Sequence, residues 1–125
     1  MSEDSHKTTA ITFLQLAATG RIDEAFEKYI SANLIHHNAF FPGDRESLQN
    51  AIGKSAMDNP QTTIDTKLAI VEGNLVTTLS HVKHKPQDTG YAVAHFFRFD
   101  GDKVVEMWDI AMQIPDNSPN KNGVF

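Results

Sequence analysis

The chain has 125 residues, 40% hydrophobic and 22% charged, which suits one globular domain with a single core. Its formal charge of -5, with no basic cluster, argues against nucleic acid or an anionic membrane surface as the main partner. Cysteine is absent, so disulfides, thiolate metal sites and a Cys nucleophile are excluded.

The first ten residues, MSEDSHKTTA, are polar and carry acids, unlike a secretory or transit segment. No apolar run reaches the ~20 residues that a bilayer span needs. A soluble, cytoplasmic protein is expected. From Ser5 to Thr19, Ala10, Ile11, Leu14, Ala17 and Ala18 recur at helical spacing before Gly20, which predicts a first helix. Residues 21–30 place Ile22, Ala25, Phe26, Tyr29 and Ile30 on one stripe and predict a second. The next segment, SANLIHHNAFFPGD, shows no sustained period and reads as an irregular or briefly extended crossing over the core. Asp44 can cap a third helix over 45–59, ended by Asn59-Pro60.

Beyond Pro60 the period changes to two. Residues 61–71 alternate, with Ile64, Thr66, Leu68 and Ile70 on one side. Glu72-Gly73-Asn74 is a turn, residues 75–83 a second strand, and residues 84–90 a polar loop. Residues 91–115 then form a hairpin about Asp100-Gly101-Asp102. The whole of 1–125 reads as one α+β domain: three N-terminal helices packed on a curved, mainly antiparallel four-stranded sheet. The tail, 116–125, is expected to be mobile unless Val124 and Phe125 dock.

The hairpin carries the candidate chemistry. His95 and Asp109 sit among Val93, Phe97, Val105 and Met107, where an ordinary core would place hydrocarbon. With a three-residue loop, His95 opposes Met107 and Asp109 lies one diagonal step from His95 on the same face; a two-residue loop needs a bulge to keep them together. Desolvation is expected to raise the Asp109 pKa into the range of a general base, with His95 governing its proton. Of His36 and His37, which point oppositely if the crossing is extended, His37 is assigned to the cavity, with Asn38 beside it. His81 is assigned there by its parity with Leu75 and Leu79. Phe97, Met107, Trp108 and Tyr29 complete the expected substrate contacts, although Trp108 and Tyr29 equally suit core packing. A second carboxylate for activating water has only loose candidates, Asp65, Glu72 and Glu106.

No metal is expected at His81 and His84, because residues three apart on a strand face opposite ways and Lys83 and Lys85 repel a cation. No Gly-rich phosphate loop, nucleophile elbow or Walker motif is present, so a nucleotide cofactor has no support. The hairpin strands are apolar at both parities, and three helices cover only one face. A homodimer through the other face is predicted.

The runs FRFDGDKVVEMWDIAMQIP and HHNAFFPGDRESL, with the ending NKNGVF, resemble the SnoaL-like proteins, relatives of polyketide cyclases in the nuclear-transport-factor-2-like superfamily of cone-shaped α+β domains. The resemblance implies a deep pocket between sheet and helices, usually in a homodimer, without metal or cofactor. It places the cyclase base on Asp109 and the His-Asn pair on His37 and Asn38. Met107 stands where close relatives often carry His, and Ala39 where a Pro commonly follows the Asn. The function it implies is a cofactor-independent enzyme, of lyase or isomerase class, acting on a small apolar carbonyl compound by proton abstraction next to the carbonyl. The alternative is a non-catalytic protein of the same fold that binds a small hydrophobic ligand.

Overall fold

Ser2 opens the first helix by accepting the Ser5 amide on its hydroxyl, and Glu3 and Asp4 place negative charge against the helix N-terminus. A computed structural model describes residues 2–125. In it α1 spans Glu3–Ala18, α2 Ile22–Tyr29 and α3 Arg45–Asp58. Gly20 adopts a φ of 86°, which lets the chain reverse between α1 and α2 at little steric cost. Asp44 caps α3 through a 2.9 Å bond from the Ser47 amide, as the sequence suggested.

The sheet has five strands rather than the four expected. They are β1 (Ile30–His37), β2 (Thr63–Glu72), β3 (Leu75–Lys83), β4 (Tyr91–Asp100) and β5 (Lys103–Gln113), in the spatial order β1-β5-β4-β3-β2. The extra strand is the crossing segment. It pairs parallel to β5, with Ile35, His36 and His37 beside Glu106, Met107 and Trp108, while the other pairs are antiparallel. Its inward positions are Ile30, Leu34 and His36, all buried. A histidine inside and Ser31, Ala32 and Asn33 between leave no apolar alternation to read.

The helices cover one face of the sheet, and the core lies between them. Phe13 of α1 meets Phe26 of α2 and Phe97 of β4 edge to face, with ring centroids 5.6 and 6.2 Å apart. The buried His6 ring ties α1 to both hairpin turns. It lies 3.3 Å from the Gly73 carbonyl oxygen, 3.0 Å from that of Gly101, and stacks on Phe99.

The connection from β4 to β5 is two residues long, because Asp100 pairs with Lys103. A register break after Arg98 then brings Arg98 opposite Glu106 and His95 directly opposite Asp109. The two therefore share a face, one step closer than the diagonal that a three-residue loop gave. A similar break in β2 between Thr66 and Leu68 sends Ile64 and Thr66 inward, and Leu68 and Ile70 outward. At the C-terminus Phe125 docks on the outer face, its ring 4.9 Å from that of His81 and 5.6 Å from the Lys67 ammonium. Among the described residues no helix is long and apolar enough to cross a membrane.

Candidate active site

Between α1, α3 and the inner face of the sheet lies a cavity of about 310 Å³. The helices line it with Leu14, Ala17, Ile52 and Ala56, and the sheet with Val82, Val93, Met107 and Ala111. The small and aliphatic residues that α1 and α3 turn toward the sheet line the gap without filling it. The polar residues that reach the cavity are Asn38, Ser55, Thr62, His84, His95 and Asp109. Among the described residues Asp109 is its one carboxylate. Asp65, Glu72 and Glu106 lie on the opposite face of the sheet, so the second acid that water activation would need is not there.

Asp109 is held from one side by β1 and the residue that follows it. His36 donates from Nε2 to Oδ2 at 2.9 Å, and Asn38 donates from its amide to Oδ1 at 2.6 Å. The Asn38 amide is oriented in turn by the Phe40 N–H, which reaches its Oδ1 at 2.7 Å. His36 is packed flat against Phe41, ring centroids 5.5 Å apart, and its side chain has no solvent exposure. The loop after Asn38 folds back so closely that the His36 amide donates to the Gly43 carbonyl at 2.8 Å, and a Cβ at Gly43 would overlap the His36 carbonyl oxygen. Glycine is required there by space, not by φ.

These contacts correct several expectations. The inward histidine is His36, not His37: β1 alternates, and His37 points to the outer face, where it stacks on Trp108 at 4.9 Å and donates to Glu106 at 2.7 Å. Trp108 is therefore an outer-face residue. So is His81, paired between Asp65 and Ala92 and bonded through Nε2 to the Thr89 carbonyl. Its parity with Leu75 and Leu79 misled because those leucines themselves face outward. Phe97 is fully buried behind His95, stacked on it at 5.8 Å, and Tyr29 packs on the core at the end of α2; neither lines the cavity. Asn38, His95, Met107 and Asp109 do. His36 went unassigned because a buried histidine leaves no hydrophobic signature.

The electrostatics also depart from expectation. Burial alone pushes the Asp109 pKa up, and it is the largest single influence, but it is outweighed. The hydrogen bond and charge of His36, the nearby His95 and the Asn38 amide together hold the carboxyl below its usual value of 3.8. Burial dominates at His95 and brings its pKa from 6.5 down to about 4, against the pull of Asp109. The ring is crowded by protein although one edge still meets the cavity. At neutral pH the site holds an ionised Asp109 facing a neutral His95. Among the described residues no group of three or more His, Asp or Glu is placed to hold a metal ion.

No family model matches the sequence, and no characterised protein matches it by sequence search. Solved structures do match. The chain superposes on AclR from Streptomyces galilaeus, named a candidate hydroxylase, with a TM-score of 0.75 and 16% identity over 89% of this chain and 91% of that one. The fold is one that proteins named SnoaL-like share. A SnoaL-like protein of unknown function from Burkholderia thailandensis matches with a TM-score of 0.72 and 10% identity over 90% and 98% of the two chains. A candidate polyketide cyclase from Bacillus cereus matches with 0.74 and 18% over 89% and 78%. At such identities the likeness extends to the α+β architecture and its cystatin-type, nuclear-transport-factor-2-like arrangement of helices on a mixed sheet.

Proposed function

We propose that the protein is a cofactor-independent enzyme that moves a proton on the carbon next to the carbonyl of a small, mostly apolar compound. The observation that carries this reading is the pairing of one ionised carboxylate, braced by His36 and Asn38, with a neutral His95 directly across the sheet, both facing an apolar cavity. Asp109 supplies the base and His95 a hydrogen bond to the oxygen on which charge develops. A carboxylate with a lowered pKa is a weaker base, yet it is fully in its reactive form at neutral pH. The apolar wall lowers the polarity around it and so strengthens its interaction with a bound substrate. The cavity lining carries neither Lys nor Arg, so an uncharged substrate is favoured over an anionic one. A protein named as a candidate polyketide cyclase has the same fold.

A second reading has its own support. The hydrogen bonds that lower the Asp109 pKa also suit a structural carboxylate in a non-catalytic pocket for hydrophobic ligands. One experiment separates the two. In deuterated buffer, neutral ketones of about a dozen heavy atoms, such as tetralones, are expected to lose their α-proton signals faster with the protein than without it. Ligands that perturb Val93 and Ala111 resonances but exchange no proton would establish the binder instead.

We further propose a homodimer through the sheet face opposite the helices. Leu68, Ile70, Leu75, Phe96, Ile110 and Met112 are all exposed there, with Ile110 retaining 68% of its accessible surface. Such a concentration is unusual for a monomer in water. Sedimentation is expected to show a dimer, and Ile110→Glu to shift it to monomer without changing the far-ultraviolet circular dichroism. A monomeric parent protein would remove the proposal.

A further inference from the structure

His95 is flanked on both sides. Asp109 opposes it on β5, and Thr78 opposes it on β3, all three side chains on the inner face. Thr78 is 2% exposed, and its hydroxyl has no hydrogen-bond partner. Nδ1 of His95 is equally buried and equally without a partner. Nε2 makes no hydrogen bond within the protein either, but it is not sealed off, because His95 borders the cavity. Two orphaned polar atoms at directly opposed positions are a costly coincidence unless they serve one another. Opposed β-carbons lie about 4.5–5.5 Å apart, which puts the two atoms within range of a rotation of the Thr78 side chain about its Cα–Cβ bond.

We infer that Thr78 is a positioning residue: its hydroxyl donates to Nδ1 of His95 and so fixes the tautomer in which Nε2 presents an N–H to the cavity. The direction of the bond follows from proton counting. A neutral imidazole carries one N–H, and the hydroxyl has one proton that no acceptor takes up in the structure. If Nδ1 donated to the hydroxyl oxygen, the hydroxyl proton would stay buried without an acceptor. A bare Nε2 lone pair would also lie beside the Asp109 charge. The reverse arrangement satisfies the hydroxyl and Nδ1 and turns the positive end of an N–H dipole toward the side on which Asp109 sits. What that N–H does rests on the proton-transfer reading: it is the group that meets the substrate oxygen. Thr78 would thus decide whether His95 acts as donor or as a second, competing base.

Long-range nitrogen–proton NMR on the ¹⁵N-labelled full chain at pH 7 reads the tautomer directly, because bare and protonated ring nitrogens are well separated in chemical shift. The expected result is a single species with Nδ1 bare and Nε2 protonated. Thr78→Val, nearly the same shape without the hydroxyl, should mix in the other tautomer, and Thr78→Ser should restore the single species. The α-proton exchange rate should fall about tenfold in Thr78→Val, the value of one hydrogen bond, and recover in Thr78→Ser. A protonated Nδ1 in the parent protein, or a tautomer ratio unmoved by Thr78→Val, overturns the inference. If the tautomer responds as described while no protein catalyses exchange, the role of Thr78 stands and the reaction reading falls.

Discussion

Replacing Asp109 with Asn is expected to slow α-proton exchange by about 10²- to 10⁴-fold, the usual worth of a positioned general base. The same change has a structural cost that the sequence did not reveal. The carboxylate accepts from both His36 and Asn38, one on each oxygen. An asparagine offers one oxygen and one NH₂ group, so either one of the two donors faces another donor or His36 shifts its proton to Nδ1, which is buried without a partner. His36 is wholly buried, and leaving it or Asn38 unsatisfied costs about 1–3 kcal/mol. The variant should therefore unfold at lower denaturant yet remain folded at neutral pH, and its rate should be compared under conditions where both proteins are native. Exchange that continues at the parent rate in folded Asp109→Asn would remove the carboxylate from the chemistry and leave the binding pocket alone.

That double consequence shows what was legible in the chain and what was not. The three helices could be read because their apolar stripes repeat locally and because Asp44 and Gly20 mark their ends. The antiparallel strands could be read because Gly73 and Gly101 punctuate alternating runs. Strand β1 could not, since its partner β5 lies some seventy positions further along, and its inner face is completed by a histidine. With the strand unread, the choice between His36 and His37 had no parity to rest on. Trp108 and His81 failed for the converse reason: the outer face is as apolar as the inner one, so alternation identifies two faces without saying which one the helices cover. Asp109 and His95 were found because ionisable residues inside apolar strands stand out whichever face they occupy. The register between them depended on a bulge that leaves no trace in a run as uniformly apolar as Val104-Val105.

His95 offers the second large effect, and its sign is fixed by burial. In the folded protein its pKa is brought down to about 4 from 6.5. Above pH 6.5 the ring is neutral in both folded and unfolded chains and contributes no pH dependence. Between pH 6.5 and 4 the unfolded chain takes up a proton that the folded one refuses. Stability must then fall with pH, by as much as ~3 kcal/mol across the window, since one proton bound only by the unfolded chain is worth about 1.36 kcal/mol for each pH unit. Below about 4 this contribution levels off, and the Asp109 carboxyl takes over: held below 3.8 in the fold, it contributes stability above that value that is lost as the pH falls further. The two windows adjoin without overlapping. Urea unfolding at intervals from pH 7 to 4.5 should show the first loss in the parent protein, and His95→Gln, which keeps a polar group in place but cannot titrate, should flatten it. The same variant leaves Asp109 short of one favourable neighbour, so any remaining fall should begin at slightly higher pH, nearer the usual value of a carboxyl. A drop of equal size in both proteins between pH 6.5 and 4.5 would mean that another group carries the proton, and that burial does not keep His95 neutral at the cavity wall.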